Sequence, residues 1–236
     1  MTDFDIVDFH AHVLPSVDHG SDSLETSLYQ LSLARESGVG RVVATPHFYP
    51  NEHGVYEFLA KRDTAYQQLC EAISEKGGYP ELRLGCEVLF CKGIARLPEL
   101  DRFCISGTKT LLLELPFSDF SEDYLKDVRE LIELGYEVVL AHADRYAADS
   151  INLMLSVGAK IQLNADSITG LFIPRRVKEW LSASAVVALG SDIHGRDTVA
   201  YKLLVAASRR ISKYESVFVE SNAIWQRSNK GYLVHQ

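Results

Sequence analysis

Hydrophobic positions along the chain fall into short, nearly continuous runs separated by longer stretches of mixed polarity. The runs are "FDIVDF" at 4–9, "RVVAT" at 41–45, "LRLGC" at 82–86, "LLLEL" at 111–115, "YEVVLA" at 136–141, "AKIQLN" at 159–164 and "AVVALGS" at 185–191. Their length and β-branched content suit strands covered on both faces, as in a parallel sheet. Between them, apolar residues recur at helical spacing. Residues 24–37 carry Leu24, Leu28, Leu31 and Ala34 ahead of Gly38, and residues 121–134 carry Tyr124, Val128, Leu131 and Leu134 ahead of Gly135. A third such stretch runs from 56 to 76, ahead of Gly77 and Gly78. An apolar stripe closed by glycine predicts a helix with a C-terminal stop. Seven strands alternating with helices predict a parallel α/β fold. An open doubly wound sheet gathers its site at one switch point, whereas a barrel gathers residues from the C-terminal end of every strand.

The residues that follow each run discriminate between the two. After the first come His10, His12 and Asp18; after the second, His47; the third ends in Glu87 and the fourth contains Glu114. The fifth leads into His142 and Arg145, the sixth ends at Asn164, and the seventh runs into Asp192 and His194. Each has an ordinary explanation alone, since histidines and carboxylates are common in loops. Their shared position, at the same end of six of the seven predicted strands, is the signal, and it favours the barrel. In an extended segment, His10 and His12 face one side, a simple way to aim two nitrogen ligands at one ion. Glu114, inside "LLLELPF", is a carboxylate that is costly to bury without a partner or a metal. Nine oxygen and nitrogen donors exceed the needs of one ion, and imidazole with carboxylate suits Zn, Fe or Mn. Shared carboxylates can support two or three neighbouring ions, and Arg145 offers a planar fork for phosphate oxygens.

Composition narrows the picture without supplying a function. The 236 residues fit a single domain spanning 1–236, and 47% hydrophobic with 24% charged residues is ordinary globular usage. A net charge of −8 gives no overall pull toward nucleic acid or an anionic membrane. No apolar stretch nears the ~20 residues that span a bilayer. The N-terminal "MTDFDIVDFH" lacks the basic segment and apolar core of a signal peptide. Cys70, Cys86, Cys91 and Cys104 are few for the length, which predicts free thiols in a reducing cytoplasm. None opens the C-x5-R cradle of cysteine-based phosphatases; Cys91 to Arg96 is one residue short.

The ordered motifs "DFHAHVLPSVDHGSDS", "ATPHFYPNEHGVY", "LGCEV", "LLLELPF", "AHADR" and "GSDIHG" resemble those of the polymerase and histidinol phosphatase (PHP) superfamily. Within it they are most similar to the metal-dependent protein-tyrosine phosphatases of bacterial capsule and exopolysaccharide clusters. The resemblance runs from residue 4 to about 196. It implies a distorted (β/α)7 TIM-like barrel with a trinuclear metal centre. By that resemblance His10, His12, Glu87 and Asp192 bind one ion, and Glu87 is shared with a second held by Glu114 and His142. Asp18, His47 and His194 hold the third. Arg145 matches the phosphate-binding arginine of an H-P-E-R motif that here reads H-A-D-R, so Ala143 and Asp144 depart from the pattern. Relatives often carry another arginine beyond the final histidine. Val199 lies near that position here, and Arg196 is assigned the second phosphate contact instead. The turn "QLNADSITG" also departs from the family's usual wording.

The reaction so implied is hydrolysis of a phosphomonoester, phosphotyrosine above all, by a metal-bridging hydroxide without a covalent phosphoenzyme. The substrate implied is the tyrosine-rich tail of a bacterial tyrosine kinase. Phe48, Tyr49, His53 and Tyr56, near His47, either pack an aromatic substrate or cover the sheet edge. His19 is expected to support the ligands, with His53 and His235 at the surface. Three other readings stay open: a histidinol-phosphate or other small-molecule phosphatase, a TatD-like metal nuclease, and a non-catalytic metal-stabilised binding module.

Overall fold

A computed structural model of the chain describes residues 6–116 and 122–231. Residues 4, 5 and 121, together with Tyr232 and His235, lie outside the described residues. Strands and helices alternate as β1 (Val7–Ala11), α1 (Leu24–Glu36), β2 (Arg41–Ala44), β3 (His47–Phe48), α2 (Val55–Lys76), β4 (Glu81–Leu84) and β5 (Glu87–Leu89). They continue as β6 (Thr110–Glu114), α3 (Glu122–Glu133), β7 (Glu137–Leu140), α4 (Ala148–Ser156), β8 (Lys160–Asn164) and α5 (Asp166–Thr169). The last elements are α6 (Arg175–Ser182), β9 (Val186–Gly190), α7 (Ala200–Arg210) and α8 (Glu215–Gly231).

Every named strand pairing is parallel, in a three-stranded sheet of order β1-β2-β4 and a six-stranded sheet of order β3-β5-β6-β7-β8-β9. The expected seven strands are all present. Two further short ones, β3 and β5, arise where the chain continues past an interruption. Pro46 separates β2 from β3, and a proline has no N–H for a ladder. Gly85 and Cys86 separate β4 from β5 in register with it. The interruption releases the ladder just before His47 and Glu87, which pair with each other across β3 and β5. The first and last strands are also tied together, Asp192 N donating to His10 O at 2.9 Å and His12 N to Ile193 O at 3.2 Å.

Local chemistry accounts for the helix ends. The Ser23 hydroxyl caps α1 by accepting from Thr26 N at 3.2 Å, and α1 stops at Ser37 with Gly38 at φ 87°. In β6, Leu111 and Leu113 join the larger hydrophobic cluster with Leu31, Leu69, Leu131 and Leu181 from four helices. Leu112 faces the other way, into a second cluster with Val7, Phe9, Val139 and the α8 residues Ile224 and Trp225. Each fully buried leucine contributes about 1.5–3 kcal/mol. Glu114, two residues on, shares the side of Leu112, so packing of β6 against its helices carries the carboxylate to the site. Among the described residues no helix is long and apolar enough to cross a membrane.

Candidate metal centre

The C-terminal ends of the strands bring all nine sequence-predicted donors into one constellation. His10 and His12 project from β1 and its continuation, with their Nε2 atoms 3.0 Å apart. Glu87, at the start of β5, occupies the middle. Its Oε2 lies 3.1 Å from His10 Nε2, 3.2 Å from His12 Nε2 and 2.9 Å from His47 Nδ1, and its Oε1 lies 2.7 Å from His142 Nε2. Glu114 flanks it, 3.8 Å from His47 Nδ1 and 3.7 Å from His142 Nε2. Asp192 Oδ1 approaches His10 Nε2 at 3.6 Å, His12 Nε2 at 3.5 Å and His194 Nδ1 at 3.6 Å. Asp18 meets His12 Nδ1 at 2.8 Å.

The backbone is bent to achieve this. His142 has φ 33° and Asp192 φ 52°, left-handed conformations that cost a non-glycine residue of the order of 1–3 kcal/mol. Gly20 and Gly190 are needed for close approach: a Cβ on Gly20 would lie 2.1 Å from His12 Cβ, and one on Gly190 would lie 2.5 Å from His10 Cβ. Surrounding side chains set the tautomers. Gln162 Oε1 lies 3.2 Å from His10 Nδ1 and accepts from His142 N at 2.7 Å, while Asp18 Oδ2 accepts from His47 N at 2.8 Å. A proton on His10 Nδ1 or His12 Nδ1, held by Gln162 or Asp18, leaves the Nε2 lone pair for a cation. Asp8, fully buried, accepts from Ser191 N at 2.8 Å and Ser191 Oγ at 2.6 Å, fastening the backbone of β1 to the segment that carries Asp192.

Electrostatics follow from the crowding. Burial works against charge on His10, but Glu87 and Asp192 outweigh it and raise its pKa. His12 is raised in the same way, burial being overcome by Asp18, Asp192 and Glu87. Asp18 and Asp192 fall far below the usual carboxylate range, since His12 and His10 more than offset their burial. Glu114 rises through burial and the neighbouring Glu87. His194 drops to about 4 through burial and the nearby His12. Four carboxylates and five imidazoles at this density need positive charge among them, which either protons or metal cations supply.

The residues present fit metal ions. His47 Nδ1, Glu87 Oε2, His142 Nδ1 and His194 Nε2 are buried without a directional hydrogen bond. Glu87 Oε2 nonetheless faces three imidazole nitrogens, the disposition of a ligand oxygen. Three overlapping groups each bring one donor atom per residue within 4.8 Å of the others: His12, His47 and His194; His10, His12 and Asp192; and His47, Glu87 and Glu114.

At the rim, the half-exposed Arg145 donates from Nη2 to Asp192 Oδ2 at 2.6 Å. Asn164 Nδ2 donates to the same oxygen at 2.9 Å. Asp144 is half-buried and accepts from Asn164 N at 3.0 Å, so the aspartate of H-A-D-R anchors the turn to β8. Arg196 is exposed, with Nη2 2.9 Å from Glu25 Oε1 and its guanidinium 5.6 Å from the Tyr29 ring centre. His19 is exposed and its ring lies over those of His47 and His194. Phe48 is buried and Tyr56 is 66% exposed, which leaves Tyr49 as the tyrosine beside His47. Gln162 and Asp8 were not singled out from the sequence. A polar residue at the centre of the apolar run "AKIQLN" was the signal for the first.

Fold and site together define an α/β protein with parallel sheets whose candidate metal donors converge at one edge. The chain belongs to the family described as "Capsular polysaccharide synthesis, CpsB/CapC", whose model matches residues 6–228. It is 27% identical over 206 residues to tyrosine-protein phosphatase YwqE of Bacillus subtilis, covering 82% of this chain and 79% of that protein. It is 23% identical over 223 residues to tyrosine-protein phosphatase CpsB of Streptococcus agalactiae, covering 84% of this chain and 89% of that protein. A solved structure from the description of YwqE from Bacillus subtilis and CpsB from Streptococcus pneumoniae as metal-dependent tyrosine phosphatases matches with a TM-score of 0.74. Identity there is 21%, over 91% of this chain and 95% of the other, a likeness of fold.

Proposed function

We propose that this protein is a metal-dependent protein-tyrosine phosphatase of capsule or exopolysaccharide synthesis. The observation that carries the reading is the placement of Glu87 Oε2 among His10, His12 and His47, with Arg145 at the rim beside Asp192. The curated relatives named tyrosine-protein phosphatases, matched over most of the chain, support the choice of substrate class.

The reading assigns three divalent ions to a PHP-type centre. His10, His12, Glu87 and Asp192 would hold one, Glu87, Glu114 and His142 a second, and Asp18, His47 and His194 a third. Mn, Fe and Zn all suit imidazole with carboxylate. Bound ions supply Lewis acidity and make water nucleophilic at neutral pH. The chain's own residues then orient the ester: the Arg145 guanidinium takes phosphoryl oxygens, and Asp192, itself held by Asn164, fixes its direction. Arg196 is the second phosphate contact in this reading. To reach the ester it leaves Glu25, and an exposed pair of that kind is worth no more than about 1 kcal/mol.

The architecture we infer is one distorted seven-position (β/α) barrel forming a single domain, the two sheets being its arcs. The hydrogen bonds from Asp192 N to His10 O and from His12 N to Ile193 O support closure between the last and first strands. The substrate is a phosphotyrosine protein, read as the tail of a partner tyrosine kinase, met in the cytoplasm. Free Cys70, Cys86, Cys91 and Cys104 accord with that compartment.

The test compares a phosphotyrosine peptide, histidinol phosphate and single-stranded DNA, with metal content measured before and after chelation. Phosphate release from the peptide that vanishes on chelation and returns with metal is expected. Preference for histidinol phosphate or DNA refutes the assignment, and metal-replete protein that binds phosphopeptide without releasing phosphate points to a binding module.

A further inference from the structure

β3 is only two residues long, yet its alternation continues into Tyr49. Phe48 turns away from the centre and packs against Phe58 and Phe103, with ring centres 4.8 and 4.4 Å apart. Tyr49 returns to the side of His47, and the two rings stack at 5.2 Å with an interplanar angle of 22°. The Tyr49 ring is half-buried, and its hydroxyl is pushed up to about 12 by burial and then by Glu114, Glu87 and Asp18. The phenol therefore stands within the field of the site's carboxylates.

The turn after β3 holds this ring in place. Tyr49 O accepts from Glu52 N at 3.0 Å and His53 N at 2.9 Å, and Tyr49 N donates to His53 Nδ1 at 3.2 Å. The His53 ring in turn stacks on Phe58 at 5.7 Å and 8°, tying the turn to the core. Beyond His47, the His19 ring lies 4.8 Å from His47 and 4.6 Å from His194. Tyr49, His47, His19 and His194 thus form a row of flat rings along the metal centre. A ring already immobilised gives up little further entropy when another stacks on it.

We propose that Tyr49 is a specificity-determining residue, its ring packing against the aryl group of a bound phosphomonoester and favouring aryl over alkyl esters. This rests on the phosphatase reading above and adds to it the residue that selects the leaving group's shape. Offset aromatic pairs add to plain burial by an amount that corresponds to about a 2- to 12-fold preference.

The experiment measures kcat/KM for phenyl phosphate and for glycerol 2-phosphate in metal-loaded wild type, Tyr49→Phe and Tyr49→Leu, with metal content determined for each. The intrinsic reactivity of the two leaving groups cancels when aryl-to-alkyl ratios are compared between variants. The ratio is expected to fall about 2- to 12-fold in Tyr49→Leu, chiefly through KM for the aryl ester, and to stay within about twofold in Tyr49→Phe. An unchanged ratio in Tyr49→Leu, or parallel losses on both esters, overturns the assignment. If the leucine variant does not yield folded, metal-loaded protein, Tyr49→Gln makes the same comparison. Metal-loaded wild type inert toward both esters overturns the role of Tyr49, and inert toward the phosphotyrosine peptide as well it overturns the phosphatase reading itself.

Discussion

The two edges of the six-stranded sheet solve opposite problems with similar residues. At the N-terminal ends of β6 and β7, a cavity of about 910 Å³ is lined by Asp101, Thr110, Glu137 and Arg227 among others. There each carboxylate meets a donor: Glu137 Oε2 accepts from Thr110 Oγ1 and from Arg227 Nη2, both at 2.7 Å, and Asp101 Oδ1 accepts from Tyr136 OH at 2.7 Å. Toward the other end, Glu87, just past the C-terminal end of β4, and Glu114, at the end of β6, crowd one another among imidazoles. Four buried nitrogen and oxygen atoms of the cluster lack a directional bond. One edge matches charge locally. The other concentrates buried carboxylates and imidazoles that need added positive charge, from protons or metal cations, the arrangement of a candidate site.

That contrast is broken most severely at Glu87. Glu87→Gln is expected to lower phosphatase turnover by at least about 1,000-fold and to reduce bound metal, read by elemental analysis beside a rate assay. Retained activity with full metal content would remove Glu87 from the centre of the site. Arg145→Ala ranks next, with an expected loss of about 100- to 1,000-fold at near-normal metal content, because the arginine pairs with Asp192 and, in the proposed reading, holds the ester rather than an ion. Equal metal loss and activity loss would instead make Arg145 a support for the ligand shell.

Gly190→Ala probes how tightly the edge is built. Its Cβ would lie 2.5 Å from His10 Cβ and 2.6 Å from Gln162 Nε2, so we expect about 1–3 kcal/mol of destabilisation in denaturant titration and weaker metal binding. Stability and affinity equal to wild type would mean that β9 can move away from β1. The smallest effect belongs to the opposite edge. Glu137→Gln keeps a hydrogen bond to Thr110 and weakens a pair with the half-exposed Arg227, so stability should change by less than about 1 kcal/mol while phosphate release is unaltered. A large loss of turnover there would show that the two edges are coupled.

Much of this was legible from residue order. The seven apolar runs fall on β1, β2, β4, β6, β7, β8 and β9, because a strand covered on both faces must be apolar almost throughout. β3 and β5 were not legible: two or three residues are too short for any period, and they exist because neighbouring ladders capture them. The donors were legible by their shared place after the runs. Gln162 and Asp8 were hidden, since each looks like a lone polar residue until its partners, His10 and His142 for one and Ser191 for the other, arrive from distant strands. Arg196 shows the same gap from the other side, as sequence proximity to His194 says nothing of Glu25, its partner from α1.

From order alone came the alternation of strands and helices, and with it the delivery of histidines and carboxylates to one edge, since strand ends inherit the direction of a parallel fold. Which donor faces which, the left-handed turns at His142 and Asp192, and the stacking of Tyr49 on His47 were settled only in three dimensions. The reason is physical: hydrophobic period is a local property carried by a few neighbouring residues, whereas a cation site is defined by distances between side chains more than a hundred positions apart.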